Sequence, residues 1–439
     1  MTIAKARTAA AAMAACAVLA GCAMDREATT EREGTTSAAL DAVTAFGTNP
    51  GKLLMYRYAP ASMPQSAPVV VVLHGCTQTA ADFANAGWNA LADKYKFYVV
   101  YPQQQSANNP STCFDWFGTY NTPADKTNLT RGQGENLSIK QMVDKTKQDF
   151  SVDASRVFVA GFSAGAAFAS VMLATWPDVF AAGGIGEGIP YNCPSTQNID
   201  VFQCMNPGKT LPASDWGGRA KAAYAGYAGP WPRVSIWEGT QDTTVATSNA
   251  TQLVAQWTNV HGIAATASSH DTVDGQAHDI FNDGNGHTMV ERYAVSGMAH
   301  GFATDPAHGC GTAGTYTPDL HICEAMRMIQ FFGIGSPVAS GDGGAASSDG
   351  GGGAGGGFVD SGCANTCGTG GASGGDGGAA DGSIANGDAA DACWGSGRPH
   401  GCAMGASRAR TPVDALAFLA AAGALVAGAR ASRRRRARR

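Results

Sequence analysis

One short stretch of the sequence has the residue types of a catalytic nucleophile. Ser163 lies at the centre of G-F-S-A-G, between the apolar run Val157–Ala160 and a segment of small residues. A serine hydroxyl becomes a useful nucleophile when a neighbouring base removes its proton. The G-x-S-x-G pattern between a strand and a helix is typical of a sharp turn that exposes the serine. The stretch therefore predicts Ser163 as the nucleophile of an acyl-transfer reaction.

The surroundings of the pattern matter, because G-A-S-G-G at Gly371–Gly375 has the same spelling. Ser373 lies in a glycine tract, with no strand-like run before it and no helix-like run after it. Gly161 and Gly165, by contrast, flank Ser163 where a strand and a helix would cross closely and a Cβ would clash. Chance explains the second copy, and the turn is predicted at Ser163.

An acid and a histidine should follow the serine in that order. Asp242 comes just after the strand-like segment RVSIWEG, at the edge where parallel sheets place their sites. Its alternative role is to cap the next helix, and Glu238 is a second candidate acid that lies close to the strand end. His300 follows the strand-like run Val290–Val295 and a Ser-Gly turn, an exposed placement that suits a general base. The sequence predicts a triad of Ser163, Asp242 and His300.

Four other histidines lie in polar, hairpin-like segments, where a surface position is expected; they are His261, His270, His278 and His287. Asp279 and Asp283 stand between the last two, so the residue types would also suit a metal. The alternation and the Asp-Gly turn of HDIFNDGNGHTMV favour a hairpin instead. We expect neither a metal nor an organic cofactor.

The oxyanion of a tetrahedral intermediate needs hydrogen-bond donors. The segment LHGC directly follows the predicted strand Val69–Leu73, which would bring its backbone close to the serine turn. We predict the main-chain N–H groups of Cys76 and Ala164 as the two donors. His74 is expected to be a structural hydrogen-bonding residue.

Strand-like and helix-like segments alternate along the chain and would position these groups. Apolar strand-like runs occur in APVVVVLHG, FYVVYP, RVFVAG and RVSIWEG. Helix-like runs occur in ADFANAGWNALADKYK, NLSIKQMVDKTKQDF, AGAAFASVMLATWP and TSNATQLVAQWTNVHG. Continuous apolar strands between helices predict an α/β fold, with a mostly parallel sheet covered on both faces.

Six cysteines of the globular region suggest disulfides, because an even number in an exported protein is typical of a disulfide framework. Many pairings are formally open. Short separations favour Cys193–Cys204 and Cys310–Cys323, which leaves Cys76–Cys113. No C-x-x-C motif is present, which argues against a zinc ribbon or a redox centre.

Both ends of the chain resemble targeting segments. Residues 1–22 have the charges, apolar run and small residues of a signal peptide, and Leu19–Cys22 (LAGC) resembles a lipoprotein lipobox. Ordinary cleavage after Ala23 is the alternative. Residues 398–439 contain the segment HGCAMG, then about 15 apolar residues, then an arginine cluster. This order resembles the sorting tails of some Gram-negative surface proteins. We expect secretion or display at the outer-membrane surface, with the membrane contacted through a lipid anchor or this tail.

Between these ends, composition separates two regions. Residues 37–335 have a globular composition and contain seven of the eight tryptophans; the exception is Trp394. Residues 336–397 are rich in Gly, Ala, Ser and Asp and predict a disordered linker. Residues 23–397 together hold 18 basic and 34 acidic side chains, which disfavours a nucleic-acid partner.

Five segments, taken together and in order, resemble the poly(3-hydroxybutyrate) depolymerase family of esterases and the related acetylxylan and feruloyl esterases of carbohydrate esterase family one. The segments are VVLHGCTQTAADF, STCFDWF, RGQGENLSIKQMVD, VFVAGFSAGAAFA and SGMAHGF…GCGTAGTYTPDLHICEAMRMIQFFG. The resemblance spans about residues 45–335. It implies a secreted α/β-hydrolase whose triad falls on Ser163, Asp242 and His300.

The resemblance also implies a polymeric ester substrate, either a polysaccharide acyl or feruloyl ester or a poly(3-hydroxybutyrate)-type ester. Polyester depolymerases usually carry a polymer-binding domain after their linker, whereas this linker leads to an apolar segment and arginines, which disfavours attack on insoluble polyester granules. The segments WPRVSIWEGTQDTTV and QWTNVHG most resemble the polysaccharide-ester branch. Trp116 is expected to offer a sugar-stacking face, as is Trp231 or Trp237, although a core position is favoured for Trp237. The alternatives are a catalytically silent polysaccharide-binding surface protein, and an acyltransferase or peptidase with the same triad.

Overall fold

The computed structural model describes residues 40–194 and 197–335 of the chain. The predicted signal segment, linker and C-terminal tail lie outside these residues. In the described part, a ten-stranded sheet has the order β1-β2-β4-β3-β5-β6-β7-β10-β9-β8. Its strands are β1 (Asp41–Val43), β2 (Leu54–Tyr58), β3 (Ala67–Leu73), β4 (Tyr98–Gln103), β5 (Val152–Phe162), β6 (Ala182–Gly186), β7 (Arg233–Gly239), β8 (Ser269–Val273), β9 (Gln276–Asn282) and β10 (Thr288–Val295).

The centre of the sheet is parallel, as the sequence predicts. Strands β4, β3, β5, β6, β7 and β10 all run in one direction. Antiparallel strands extend both edges, with β1 and β2 on one side and β9 and β8 on the other. The predicted hairpin in HDIFNDGNGHTMV is confirmed as β9, β10 and their turn. All parallel strands therefore end at one edge, where their following loops meet.

The strands of the centre are apolar throughout because helices cover both faces of the sheet. Every residue of β3 is buried, with Val69 and Val71 facing one core and Val70 and Val72 facing the other. Helices α3, α4, α6 and α7 contribute to the first core, and α1, α2 and α8 to the second. The helices are α1 (Ala80–Ala84), α2 (Trp88–Tyr95), α3 (Gly134–Asp149), α4 (Ala164–Thr175), α5 (Asn198–Met205), α6 (Ala213–Ala222), α7 (Ser248–His261) and α8 (Glu324–Phe331).

One predicted helical segment is interrupted. The run ADFANAGWNALADKYK forms α1 and α2 rather than one continuous helix. Gly87 breaks it with a φ of +105°, and a Cβ there would crowd Cys310 and the backbone of Gly311. A loop from far along the chain packs directly against Gly87, a contact that the local pattern does not reveal.

Three disulfides join the predicted pairs Cys76–Cys113, Cys193–Cys204 and Cys310–Cys323. Cys76–Cys113 ties down the loop that follows β3, and the loop closed by Cys310–Cys323 carries Tyr316, whose ring faces His300. Within the described residues, no helix combines the length and the apolar character needed to cross a membrane.

Candidate active site

Ser163 occupies the sharp turn between β5 and α4. Its backbone has φ +55° and ψ −122°, a conformation that costs free energy for any residue other than glycine. The Ser163 N–H donates to the carbonyl of Gly186 on the neighbouring strand at 2.9 Å. The Ser163 carbonyl accepts from the N–H of Ala167, also at 2.9 Å, which starts α4. The sheet and the helix thus hold the strained turn from both sides and keep the hydroxyl at the open edge.

The two glycines of the motif allow this turn to exist. A Cβ on Gly161 would overlap the backbone of Gly165, and a Cβ on Gly165 would overlap the carbonyl groups of Leu73 and His74. Helix α4 can therefore rest directly on the ends of β5 and β3. This contact also brings the loop after β3 beside the serine.

The structure brings the three predicted triad residues together. The Nε2 atom of His300 lies 2.9 Å from the Ser163 hydroxyl oxygen. The Nδ1 atom of His300 lies 2.7 Å from Oδ2 of Asp242. With the proton on Nδ1, the ring donates to the aspartate and its Nε2 is free to accept the serine proton. This is the hydrogen-bond order that general-base activation of a serine requires.

Asp242 is fixed by the turn that follows β7. Its side chain is 1% exposed. Its Oδ1 accepts hydrogen bonds from the N–H groups of Thr244 at 2.7 Å and Val245 at 2.9 Å. Oδ2 is consequently aimed at His300. The rival acid, Glu238, instead forms an ion pair with Arg292 of β10.

His300 reaches the serine from the loop after β10, and aromatic rings limit its movement. The imidazole centroid lies 4.9 Å from the ring of Phe162, and the ring of Tyr316 stands nearly perpendicular to it at 6.5 Å. Tyr316 belongs to the loop closed by Cys310–Cys323, and its carbonyl accepts from the N–H of Phe302. The motif around Tyr316 was recognised in the sequence, but nothing in it indicated contact with the histidine.

Cys76 and Ala164 present main-chain donors at the same edge. Within residues 40–194 and 197–335, neither N–H donates to a protein acceptor. The Ala164 N–H begins α4, so the helix dipole adds to its attraction for an anion. The geometry is consistent with the predicted oxyanion donors.

The Cys76 loop is rigidly anchored. His74 is fully buried; its Nδ1–H donates to the Gly75 carbonyl at 2.7 Å and its Nε2 accepts from the Gln104 N–H at 3.1 Å. Burial lowers the pKa of His74 to about 4, so the ring stays neutral and keeps both hydrogen bonds. The disulfide to Cys113 adds a covalent anchor. The predicted structural role of His74 is confirmed.

Two buried carboxyl groups beneath the site were not predicted. Glu187 follows β6 and Glu324 begins α8, and burial raises the pKa of each well above its usual range. Repulsion from Glu324 and then from Asp242 adds to the effect on Glu187. The sequence gives no sign of them, because their proximity depends on packing between α8 and the sheet.

The predicted aromatic contacts need correction. Trp116 lies in the loop of Cys113, but it is 5% exposed and its ring packs edge-on against Phe117, so it offers no open face for a sugar. Trp231 precedes β7 and therefore lies at the opposite end of that strand from Asp242. Trp237 is buried and stacked on Tyr293, as favoured. The burial of Trp116 is not predictable from the sequence alone, because the sequence does not show which side of a loop turns inward.

The surface prediction is wrong for His278, which is 6% exposed. Its Nδ1 contacts Asp271 at 2.8 Å and its Nε2 contacts Glu291 at 3.2 Å. Neighbouring β8 and β10 bury this side chain. A different group of metal-ligand types, Asp305, Asp319 and His321, places one atom of each within 4.8 Å of the others.

The sheet order, the turn at Ser163 and the Ser–His–Asp contacts define an α/β-hydrolase with a serine-hydrolase site. A family model described as esterase PHB depolymerase matches residues 54–277. The chain is 50% identical over 299 residues to poly(3-hydroxyalkanoate) depolymerase C of Paucimonas lemoignei, covering 67% of this chain and 70% of that one. It is 32% identical over 276 residues to feruloyl esterase B of Talaromyces stipitatus, covering 61% and 74%.

The solved structure of an acetyl xylan esterase from Aspergillus awamori is also similar. It has a TM-score of 0.53 and 28% sequence identity, covering 60% of this chain and 94% of that one. The chain belongs to the esterase PHB depolymerase family and is a serine carboxylic-ester hydrolase.

Proposed function

We propose that Ser163 attacks an ester carbonyl and forms an acyl-enzyme. His300 takes the serine proton through Nε2 and passes it to the departing alcohol. Asp242 holds the Nδ1–H tautomer and stabilises the imidazolium. The hydrogen-bond order from Ser163 through His300 to Asp242 carries this proposal.

The main-chain N–H groups of Cys76 and Ala164 receive the oxyanion. Each donor of this kind contributes roughly 3–4 kcal/mol to transition-state stabilisation. A water molecule activated by His300 then attacks the acyl-enzyme and releases the acid. Every step uses residues of this chain, acting on the ester and water.

The substrate we propose is a poly(3-hydroxyalkanoate)-type polyester or its oligomers. The 50% identity to a poly(3-hydroxyalkanoate) depolymerase exceeds the 32% identity to a feruloyl esterase and supports this choice. The burial of Trp116 points the same way, because it removes the expected sugar-stacking face. The plant-polysaccharide ester favoured by the sequence becomes the second candidate, supported by the acetyl xylan esterase structure.

Comparison of three substrates tests the proposal. Release of 3-hydroxybutyrate from its polyester, acetate from acetylxylan and ferulate from methyl ferulate should be measured with the full chain and with Ser163→Ala. We expect serine-dependent release to be fastest from the polyester. Faster release from either plant ester would transfer the assignment to that branch, and binding of xylan without turnover of any ester would favour a silent binding protein. Alcohol and amine acceptors in the same assay would reveal acyl transfer or peptidase activity.

We also propose that residues 37–335 are the catalytic domain of an exported, membrane-anchored enzyme. Three disulfides support export, since such bonds persist in oxidising compartments. Cell fractionation of Cys22→Ser tests the lipid anchor: the variant should leave the membrane fraction. Unchanged membrane association would contradict lipidation and would favour residues 398–439 as the membrane anchor.

A further inference from the structure

Two exposed apolar side chains lie side by side on α5. Ile199 is 59% exposed and Phe202 is 53% exposed. Their spacing of three residues places them on the same face of the helix. Among the described residues, the only other large apolar side chain with comparable exposure is Leu54, at 38% on β2. Ile199 and Phe202 thus form one apolar patch on the surface, which we call the α5 patch.

The inward side of α5 is firmly seated, so the exposure is not a sign of a loose helix. Cys204 is fully buried and bonded to Cys193. Val201 and Met205 pack against the core. The helix therefore has apolar residues on two sides: one side packs against the core, and the other faces solvent. Exposing apolar surface in this way is unfavourable unless something covers it in use.

Helix α5 is attached directly to the turn that carries the catalytic acid. The carbonyl of Met205 accepts from the N–H of Ala246 at 2.8 Å and from the Asn249 side chain at 3.1 Å. The Asn206 side chain donates to the carbonyl of Thr243, next to Asp242, at 2.6 Å. The helix accordingly belongs to the edge of the sheet at which the triad is assembled.

The chemistry of the patch favours one kind of partner. The acid on this helix, Asp200, is neutralised by Lys209 at 3.0 Å, so the patch adjoins an ion pair rather than a free charge. The ring of Phe202 alone would suit a sugar as well, but the hydroxyl groups of a polysaccharide need polar partners, and the neighbouring Ile199 cannot supply them. A polyester chain offers methyl groups and uncharged esters, which match an aliphatic and an aromatic side chain.

We propose that the α5 patch docks the enzyme onto solid polyester, beside the catalytic edge. This inference rests on the proposed polyester substrate and extends it to the water-insoluble polymer. Docking here would keep the active site at the polymer surface between successive cleavages. Soluble esters would not need the contact.

The test compares Ile199→Gln/Phe202→Gln with a matched control, Leu54→Gln, in the full chain. Adsorption to poly(3-hydroxybutyrate) granules is measured in a Ser163→Ala background, where the polymer stays intact. We expect the double variant to bind about tenfold more weakly, because two partly exposed apolar groups lose their contact. Leu54→Gln should bind like its parent. The conservative pair Ile199→Val/Phe202→Leu should retain binding.

Turnover of a soluble 3-hydroxybutyrate ester, measured with Ser163 present, is the second readout. The double variant should keep this turnover within about twofold, which also shows that it folds. Unchanged granule binding by the double variant, or an equal loss with Leu54→Gln, would overturn the docking proposal and leave the esterase assignment intact. Soluble-ester turnover that survives Ser163→Ala would contradict the catalytic assignment, whatever the granules show.

Discussion

At the scale of single residues, the site depends on which atom carries each proton. Asp242 uses one carboxylate oxygen to accept two main-chain hydrogen bonds and the other to face His300. This division fixes the direction of the His300 ring and leaves Nε2 for Ser163. Reversing the donor and acceptor roles between Asp242 and His300 should therefore have a large effect on catalysis and a small effect on substrate binding.

Asp242→Asn should reverse that polarity. The amide oxygen would accept from Thr244 and Val245, so the amide NH₂ would face Nδ1 of His300 and favour the tautomer protonated on Nε2. We expect kcat for a soluble ester to fall about 10³–10⁴-fold with little change in KM. Glu238→Gln is the control, since that carboxylate contacts Arg292 rather than His300. A comparable loss of kcat in the control would contradict the assignment of the acid.

His74 should make the protein sensitive to acid. Its pKa is about 4 in the folded chain, against an ordinary value of 6.5, because burial disfavours the charged ring. Below pH 6.5 the unfolded chain binds a proton that the folded chain does not, so stability should fall as pH drops from about 6.5 to about 4. The full loss would be roughly 3 kcal/mol.

Urea unfolding of the wild type and His74→Gln at pH 7 and pH 4.5 measures this effect. The variant lacks the titrating ring, so its loss of stability between the two pH values should be smaller than that of the wild type. Equal losses in the two proteins would show that other groups cause the acid sensitivity.

At the scale of elements, the site is made where strands end and helices begin. Ser163, Asp242 and His300 follow β5, β7 and β10, and Cys76 follows β3. Parallel pairing brings these four ends to one edge. The close crossing of β5, β3 and α4 then sets the position of the serine relative to the oxyanion donors.

Gly165→Ala should damage this crossing. The new methyl group would overlap the carbonyl groups of Leu73 and His74, which belong to backbone and have little freedom to move. We expect a loss of about 1–3 kcal/mol in the free energy of unfolding, together with a lower kcat. Gly218→Ala, on α6, is the matched control because its Cβ would meet no atom within 4 Å. Urea unfolding should show the control unchanged or slightly stabilised; equal destabilisation of both would contradict the crossing argument.

At the scale of the whole molecule, the local patterns of the sequence predict the catalytic residues better than they predict the packing around them. The triad and the parallel sheet are predictable because each signal lies within a strand and the turn after it. The burial of Trp116 and His278, the break at Gly87 and the buried pair Glu187 and Glu324 depend on contacts between distant segments. Periodicity within one segment carries no information about such contacts.

The described domain should work without the segments that flank it. Residues 37–335 contain the triad, the oxyanion donors and all three disulfides. We expect this fragment, produced under oxidising conditions, to keep kcat/KM for a soluble ester within about twofold of the full chain. Steady-state kinetics of the two proteins provides the measurement. A loss greater than tenfold would assign part of the active machinery to the flanking segments.

Covalent labelling tests the central claim most directly. The full chain is treated with an activated phosphonate ester, which reacts with a serine only when a base and oxyanion donors activate it, and the modified peptide is identified by mass spectrometry. We expect one adduct, on Ser163, formed together with loss of ester hydrolysis and much more slowly in His300→Ala. An unlabelled Ser163 in a fully inactivated enzyme, or labelling at the same rate in His300→Ala, would contradict the proposed mechanism.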